Sequence, residues 1–412
     1  MTGFVFSCFR GRSIFAVLAV CAFLTAASIE AHKPITSKYT YNDDVFPILR
    51  DRCGRCHVAG GVAPMSLMTY EEAFPWAESI RAELIASHMP PWHADEAFGE
   101  LKQAHTLSPQ ELDVILTWAS GGNPRGALDQ KLPPVALKND WTMGAPDLTL
   151  PLPAEFAFAA DKMDDTQEFT IPTNTKEARW VRAVDLLPGT PSIVRSAVLY
   201  VKGDSPAGVG PERVLARWIP GQDPEPIGPA VGVRLPAGAQ LGVRIHYKKT
   251  WQFEGKPLTD RSTVGVYFAP AAAAQELLAV PVATAALSAS NGSDNVTFAQ
   301  TIDQDVQALA LSPDQVPPNI TLQVEAIRPD GSRAPMIRLN TRADWNRRYW
   351  FERPVALPRG TRIEVVATLK DPDLLSAAFA APTATPPASA NRPSSVRLSL
   401  TVIPAQSKPA AP

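Results

Sequence analysis

The chain is poor in the side chains that build cross-links and metal cages. It holds four cysteines and six histidines in 412 residues. No cysteine follows Cys56, and after His105 the only histidine is His246. The long carboxy-terminal part therefore has no means of forming an internal disulfide or a thiolate metal site. An excess of charge of one sign is also missing. Lys and Arg number 39, Asp and Glu 41, and the formal net charge is -2. That balance excludes the basic field of a nucleic-acid surface. No segment after the first thirty residues reaches the roughly 18 apolar residues that a membrane span needs. What is present is a hydrophobic fraction of 45% and 41 prolines. The first suffices for a packed core. The second is about twice the usual frequency of roughly 5% and favours short strands joined by turns over long helices. The length suggests two or three domains of about 100–200 residues.

The first thirty residues read as a secretory signal. Arg10 and Arg12 form a positive flank, Ile14 to Ala27 is an almost uninterrupted apolar run, and small residues follow at Ala26, Ala27 and Ser28. Cleavage is expected between Ala27 and Ala31, and an uncleaved anchor is the alternative. Cleavage removes Cys8 and Cys21 and leaves two cysteines, both in one short motif. The expected location is periplasmic or otherwise exported, with no membrane span after cleavage.

Cys53-Gly54-Arg55-Cys56-His57 has the spacing of covalent c-type haem attachment. Two thiols three residues apart on a turn can both reach one porphyrin, and the adjacent imidazole can reach the iron. A redox dithiol would not need His57, and a zinc site would need a second ligand pair that does not follow. One haem c is the expected cofactor, anchored by Cys53 and Cys56 with His57 as proximal ligand. Candidates for the distal ligand are Met65, Met68, His88, Met89, His93 and His105. Met65 and Met68 follow the motif too closely to reach the opposite face easily. Met89-Pro90-Pro91-Trp92 is stiffened by two prolines, so Met89 is the expected distal iron ligand and Trp92 is expected to pack on the porphyrin edge.

The flanks suggest short helices. Asn42 or Asp43 could cap a helix carrying Val45, Ile48 and Leu49, with Pro47 in its first turns. Thr69-Tyr70-Glu71-Glu72 and Ser108-Pro109-Gln110-Glu111 are capping boxes. The first opens a segment with Trp76, Ile80 and Leu84 on one face, which Pro75 should kink or delay. The second leads into Leu112, Ile115, Leu116 and Ala119, stopped by Gly121-Gly122. Asp43-Asp44 and Asp164-Asp165 read as solvated caps and turns rather than acid–base machinery.

The segment Tyr41 to Gly126 resembles the cytochrome c-like domain of multidomain bacterial periplasmic proteins. The resemblance is carried by Phe46-Pro47-Ile48-Leu49, Cys53 to His57, Ala63-Pro64-Met65-Ser66-Leu67, Met89-Pro90-Pro91-Trp92 and Trp118. In that family a copper type II, ascorbate-dependent monooxygenase-like module often follows.

Residues 121–147 are rich in proline and glycine and read as a linker. Beyond them come short alternating strands: Arg179 to Leu186, Val194 to Val201, Leu241 to Tyr247 and Val264 to Phe268. A second group comprises Ile320 to Ile327, Trp345 to Phe351, Arg362 to Leu369 and Val396 to Ile403. The stretch 377–393 reads as a disordered loop. Leu187-Pro188-Gly189, Trp218-Ile219-Pro220-Gly221, Leu235-Pro236-Ala237-Gly238, Ile245-His246-Tyr247, Arg328-Pro329-Asp330-Gly331 and Asp344-Trp345 resemble fragments of the monooxygenase module, in its order. The resemblance implies one copper on a His-His pair and a later His-Tyr histidine, and a second on a His-x-His pair and a methionine. The corresponding positions here are Arg195-Ser196 and Ser312-Pro313-Asp314. His246 alone keeps a copper-ligand position, and Met336 lies too early in the chain to match.

The expected fold class is multidomain: a small all-α cytochrome c-like domain followed by two antiparallel β-sandwich (jelly-roll-like) domains. The expected boundaries are a signal peptide at 1–31, a haem domain at 38–126, a linker at 127–147, sandwiches at 148–285 and 286–404, and a tail at 405–412. The expected function is one-electron transfer with a redox protein partner in the periplasm, with the sandwiches as a non-catalytic docking or scaffolding module. Copper is not expected. The alternatives are a copper monooxygenase fed by its own haem and a haem sensor or assembly subunit.

Overall fold

The computed structural model describes residues 36–91, 94–95, 97–102, 106–203, 213–224, 227, 231–270, 275–283, 295–317, 320–341, 347–368 and 395–405. The signal segment, Trp92, His93, His105, Trp345 and the stretch 377–393 lie outside the described residues.

Strands dominate, and they stack as sandwich-like pairs of sheets. The first pair begins with a five-stranded sheet made of β1 (Leu148–Pro151), β4 (Arg179–Leu187), β7 (Val231–Leu235), β10 (Thr263–Phe268) and β11 (Gln275–Glu276). Its order is β1-β10-β4-β7-β11. Facing it is a sheet of β3 (Asp164–Pro172), β5 (Val194–Lys202), β6 (Arg213–Trp218) and β8 (Gln240–Lys248), ordered β3-β8-β5-β6. β2 (Phe156–Phe158) and β9 (Leu258–Asp260) form a small ribbon beside them. Leu186, Val264 and Val266 from one sheet share a core with Leu199, Val243 and Ile245 from the other. Asp260 is buried in this unit, where Tyr247, Ser262 and the Thr190 amide all donate to its carboxylate, so the charge is fully hydrogen-bonded.

The second pair joins β12 (Leu278–Ala283), β14 (Val306–Gln315), β17 (Tyr349–Leu357) and β19 (Arg397–Pro404), in the order β12-β19-β14-β17, to a second sheet. That sheet is β13 (Asn295–Thr301), β15 (Thr321–Ile327), β16 (Arg333–Asn340) and β18 (Arg362–Thr368), in the order β13-β18-β15-β16. Leu322, Val324 and Ala326 alternate inward along β15 while their neighbours are less buried, the period-two pattern of a strand with one covered face.

One expectation is corrected within the sheets. The pairing is not wholly antiparallel, because β11 runs parallel to β7. β12, from Leu278, pairs with β19 of the second unit.

The expected fold class, with its all-α cytochrome c-like domain, is also overturned. The molecule is mostly β, and the helical residues near the amino terminus come in short pieces. One stretch runs from a π turn at Tyr41–Val45 through an α turn at Phe46–Ile48 to a π turn at Leu49–Cys53. Its cap is Thr40, whose side chain accepts from the Asp43 amide, rather than Asn42 or Asp43. Pro75 interposes a 3-10 turn at Phe74–Trp76, which delays helix α1 to Ala77–Ile85. Helix α2, Pro109–Ser120, has the full Ser108–Glu111 capping box, yet it is only 12 residues long. Frequent proline keeps these pieces short.

Nor do they close on themselves. Ala94 bridges to Leu339 of β16 and Leu101 bridges to Phe351 of β17. These are edge strands of the two facing sheets, so residues 94–95 and 97–102 cover one edge of each sheet of the second unit. Asp95 pairs with Arg338 at 2.9 Å and Glu100 with Arg353 at 2.6 Å. The linker 127–147 has no regular element, but it is packed: Leu132, Val135 and Leu137 lie against the helical core, and Trp141 lies against Gly265 of β10.

Candidate functional site

The Cys53–His57 motif forms a compact turn. The amides of Cys56 and His57 both donate to the Cys53 carbonyl, at 3.1 and 2.8 Å. Gly54 packs so tightly that a Cβ would lie 2.5 Å from the Arg50 carbonyl oxygen, and one on Gly61 would lie 2.3 Å from that of Cys56. The loop after the motif therefore folds back over it. Tyr41, fully buried, donates to the Leu67 carbonyl at 2.8 Å and fixes the far end of that loop. Arg52 ties the motif to the start of α2 through Glu111 at 2.9 Å.

Cys53, Cys56 and His57 line one cavity of about 360 Å³, within the range of about 300–1,000 Å³ usual for small-molecule sites. Leu49, Val62, Leu67, Ile80, Leu84 and Ile115 give it mostly apolar walls. Surrounding protein pushes the Cys53 thiol up to about 12 and the Cys56 thiol up to about 11. Burial also lowers the pKa of His57, opposed by its hydrogen bond to Met65. The Nδ1–H of His57 donates to the Met65 carbonyl at 3.2 Å, which leaves Nε2 as the nitrogen with a lone pair to give.

Of the distal candidates, Met89 lines the same cavity, at the end of α1. Met65 also lines it, beside His57, whereas Met68 is buried in the helical core. His88 is engaged by Glu83, with Nδ1 at 3.0 Å from its carboxylate. Trp92, His93 and His105 fall outside the described residues. Two adjacent thiols, an oriented imidazole and a thioether on one apolar cavity suit a covalently attached haem.

Sequence reasoning missed the other wall. Arg195, Ile219, Pro220 and Gly221 of the first sandwich and Arg347 of the second also line the cavity. The Pro220–Gly221 turn lies on the motif: Arg55 donates to the Gly221 carbonyl at 3.1 Å and pairs with Asp223 at 2.9 Å. Gly221 has φ +73, and a Cβ there would lie 3.1 Å from the Cys56 sulfur. Arg195 is the extra residue of a bulge in β5, between the Val194–Tyr247 and Ser196–His246 pairs, and bulges re-aim side chains. A bulge leaves no reliable mark on the sequence.

His246 is elsewhere. It lies on β8 with Nε2 at 3.0 Å from the Asp164 carboxylate of β3, while Met336 is fully buried in the core of the second unit. Asp314, next to the position of the resembled family's other copper site, pairs with Arg217 of the first unit and accepts a hydrogen bond from Ser399 within its own sheet. Among the described residues, no helix is long and apolar enough to cross a membrane.

No protein-family model matches this chain. No curated protein matches it either. Among solved structures it is similar to the major capsid protein P2 from bacteriophage PM2, at 9% identity and a TM-score of 0.30, covering 64% of this chain and 99% of that one. It is also similar to the Penaeus vannamei nodavirus structure, at 12% identity and a TM-score of 0.18, covering 64% and 99%. A Paenibacillus xanthan lyase matches at 10% identity and a TM-score of 0.15, covering 60% and 23%. Likenesses this weak say nothing about activity.

Proposed function

We propose that this chain carries one covalently attached haem c and transfers single electrons in an exported, periplasmic setting, to or from a redox protein partner. The observation that carries the reading is that Cys53, Cys56, His57 and Met89 line one apolar cavity, with the His57 Nδ1 already committed to the Met65 carbonyl. Cys53 and Cys56 would hold the group through thioether bonds, each thiol adding across a vinyl double bond with its hydrogen passing to the neighbouring carbon. His57 would offer Nε2 to the iron and Met89 its thioether sulfur. The bound group supplies a one-electron couple between ferric and ferrous iron. The apolar walls would keep water away from the bound group, and His57 and Met89 would both be available to hold its iron. The sandwiches serve as a non-catalytic module that holds and covers this site.

The test is the intact mass and the oxidised and reduced spectra of the full chain produced by export in a host that attaches haem c. A mass increase of one haem with a low-spin c-type spectrum is expected. A mature chain with two free thiols and no haem overturns the reading.

A further inference from the structure

Met89 sits between two anchors. On its amino-terminal side its amide donates to the Glu83 carbonyl of α1 at 3.4 Å. Pro90 and Pro91 follow it on the cavity wall, and each proline fixes its own φ. Ala94 comes five residues after Met89, a reach of at most about 18 Å. There the chain is already bonded to the second unit. Ala94 bridges to Leu339 of β16, and the Asp95 amide donates to the Arg338 carbonyl at 2.9 Å. The Arg338 side chain grips the same stretch. Its Nη1 pairs with the Asp95 carboxylate at 2.9 Å, and its guanidinium carbon lies 4.4 Å from the centre of the Phe98 ring. Its Nε and Nη2 donate to the Gln323 side chain at 3.2 and 3.0 Å, so β15 fixes the guanidinium in turn. Gly99 then passes the Met336 carbonyl with no room for a Cβ. Beyond it the Glu352 amide donates to the Glu100 carbonyl at 2.8 Å, and the Lys102 amide to the Trp350 carbonyl at 2.9 Å.

We propose that Arg338 is a positioning residue for the iron ligand Met89. By clamping Asp95 and Phe98 to β16 it restrains the loop that carries the Met89 sulfur, and it makes the second sandwich a support of the iron site. The inference rests on the haem reading above. A thioether is a neutral ligand with no charge to hold it on the metal. Its occupancy therefore depends on how far the chain around it is restrained beforehand.

The experiment is carbon monoxide binding to the reduced full-length holoprotein, with its reduction potential, for wild type, Arg338→Ala and Arg338→Lys. Arg333→Ala is the control, since it removes another arginine of β16, one paired with Glu325 and Glu364 instead of residues 94–102. Arg338→Ala should bind carbon monoxide at least tenfold faster than the control and have a lower potential, because methionine ligation raises it. Arg338→Lys can still pair with Asp95 and should restore most of the wild-type behaviour. Gly99→Ala, which presses on β16 from the other partner, should act in the same direction and takes the place of Arg338→Ala if that variant fails to fold. Holoprotein that binds slowly as wild type, and no faster in the variant than in the control, overturns the inference while leaving the haem reading intact. Wild-type holoprotein that binds carbon monoxide rapidly takes Met89 off the iron and overturns the inference with it. Wild-type protein without covalent haem overturns the haem reading as well.

Discussion

The Nδ1 of His57 lies 3.2 Å from the carbonyl oxygen of Met65, so the residue that follows the two cysteines is held by its own loop before any ligand arrives. An acceptor on one ring nitrogen fixes the tautomer and strengthens the other as a ligand. Replacing His57 by Ala should abolish the low-spin spectrum, and replacing Cys53 and Cys56 together by Ala should abolish the mass increase of covalent haem. Retention of covalent haem in the double cysteine variant would disprove the attachment site.

Met89 lines the same cavity at the end of α1. Reduced wild-type protein should therefore bind carbon monoxide slowly or not at all, and Met89→Leu should bind it readily. Rapid binding by the wild type would remove Met89 from the iron.

Asp185, on β4, is held up to about 6 by burial first and by the nearby Asp223 charge as well, against hydrogen bonds from the Leu186 amide and Trp218. A carboxyl whose folded pKa exceeds its unfolded value stabilises the fold in the protonated form. That contribution is complete below about pH 4 and is lost as the pH rises through about 6. Its full size is on the order of 3 kcal/mol. Urea titrations at pH 4 to 8 should show Asp185→Asn gaining on the wild type as the pH rises through this window. A stability difference that does not change with pH would contradict the assignment.

Gly99 has φ +87, and a Cβ there would lie 2.1 Å from the backbone oxygen of Met336. Gly99→Ala should cost about 2–3 kcal/mol in chemical denaturation, because both the left-handed backbone and the close approach oppose a side chain. Gly331→Ala, at φ +81 with open space around it, should cost only about 1 kcal/mol. Equal losses would show that contact with β16 is not what fixes residues 94–102.

Arg217 and Asp314 are paired with side chains only 8% and 15% exposed, and Arg348, also buried nearby, is lowered to about 10 by desolvation and by Arg217. Asp314→Ala leaves these cations without their carboxylate. We expect a loss of about 3–5 kcal/mol and a lower melting temperature. A variant as stable as wild type would mean that the ion pair does not join the two units.

Much of the local structure was legible in the residues. Ser108 and Glu111 form the capping box their spacing implied, and Thr69 accepts from the Glu72 amide. The alternating segments at 179, 194, 241, 264 and 362 all became strands. These features depend on contacts three or four residues apart or on a period of two, which a linear reading contains.

The amino-acid sequence by itself determined the motif Cys53 to His57, the scarcity of later ligands and the positions of most strands. Tertiary structure alone decided what surrounds the motif. It brought Arg195 and Arg347 to a cavity shared with Cys53, set Ala94 and Leu101 against two sheet edges and denied the helical pieces a separate all-α domain. Each of these outcomes depends on contacts between residues far apart in the chain, on a single bulge at Arg195 and on unpaired strand edges that need cover. Neither composition nor periodicity records such contacts.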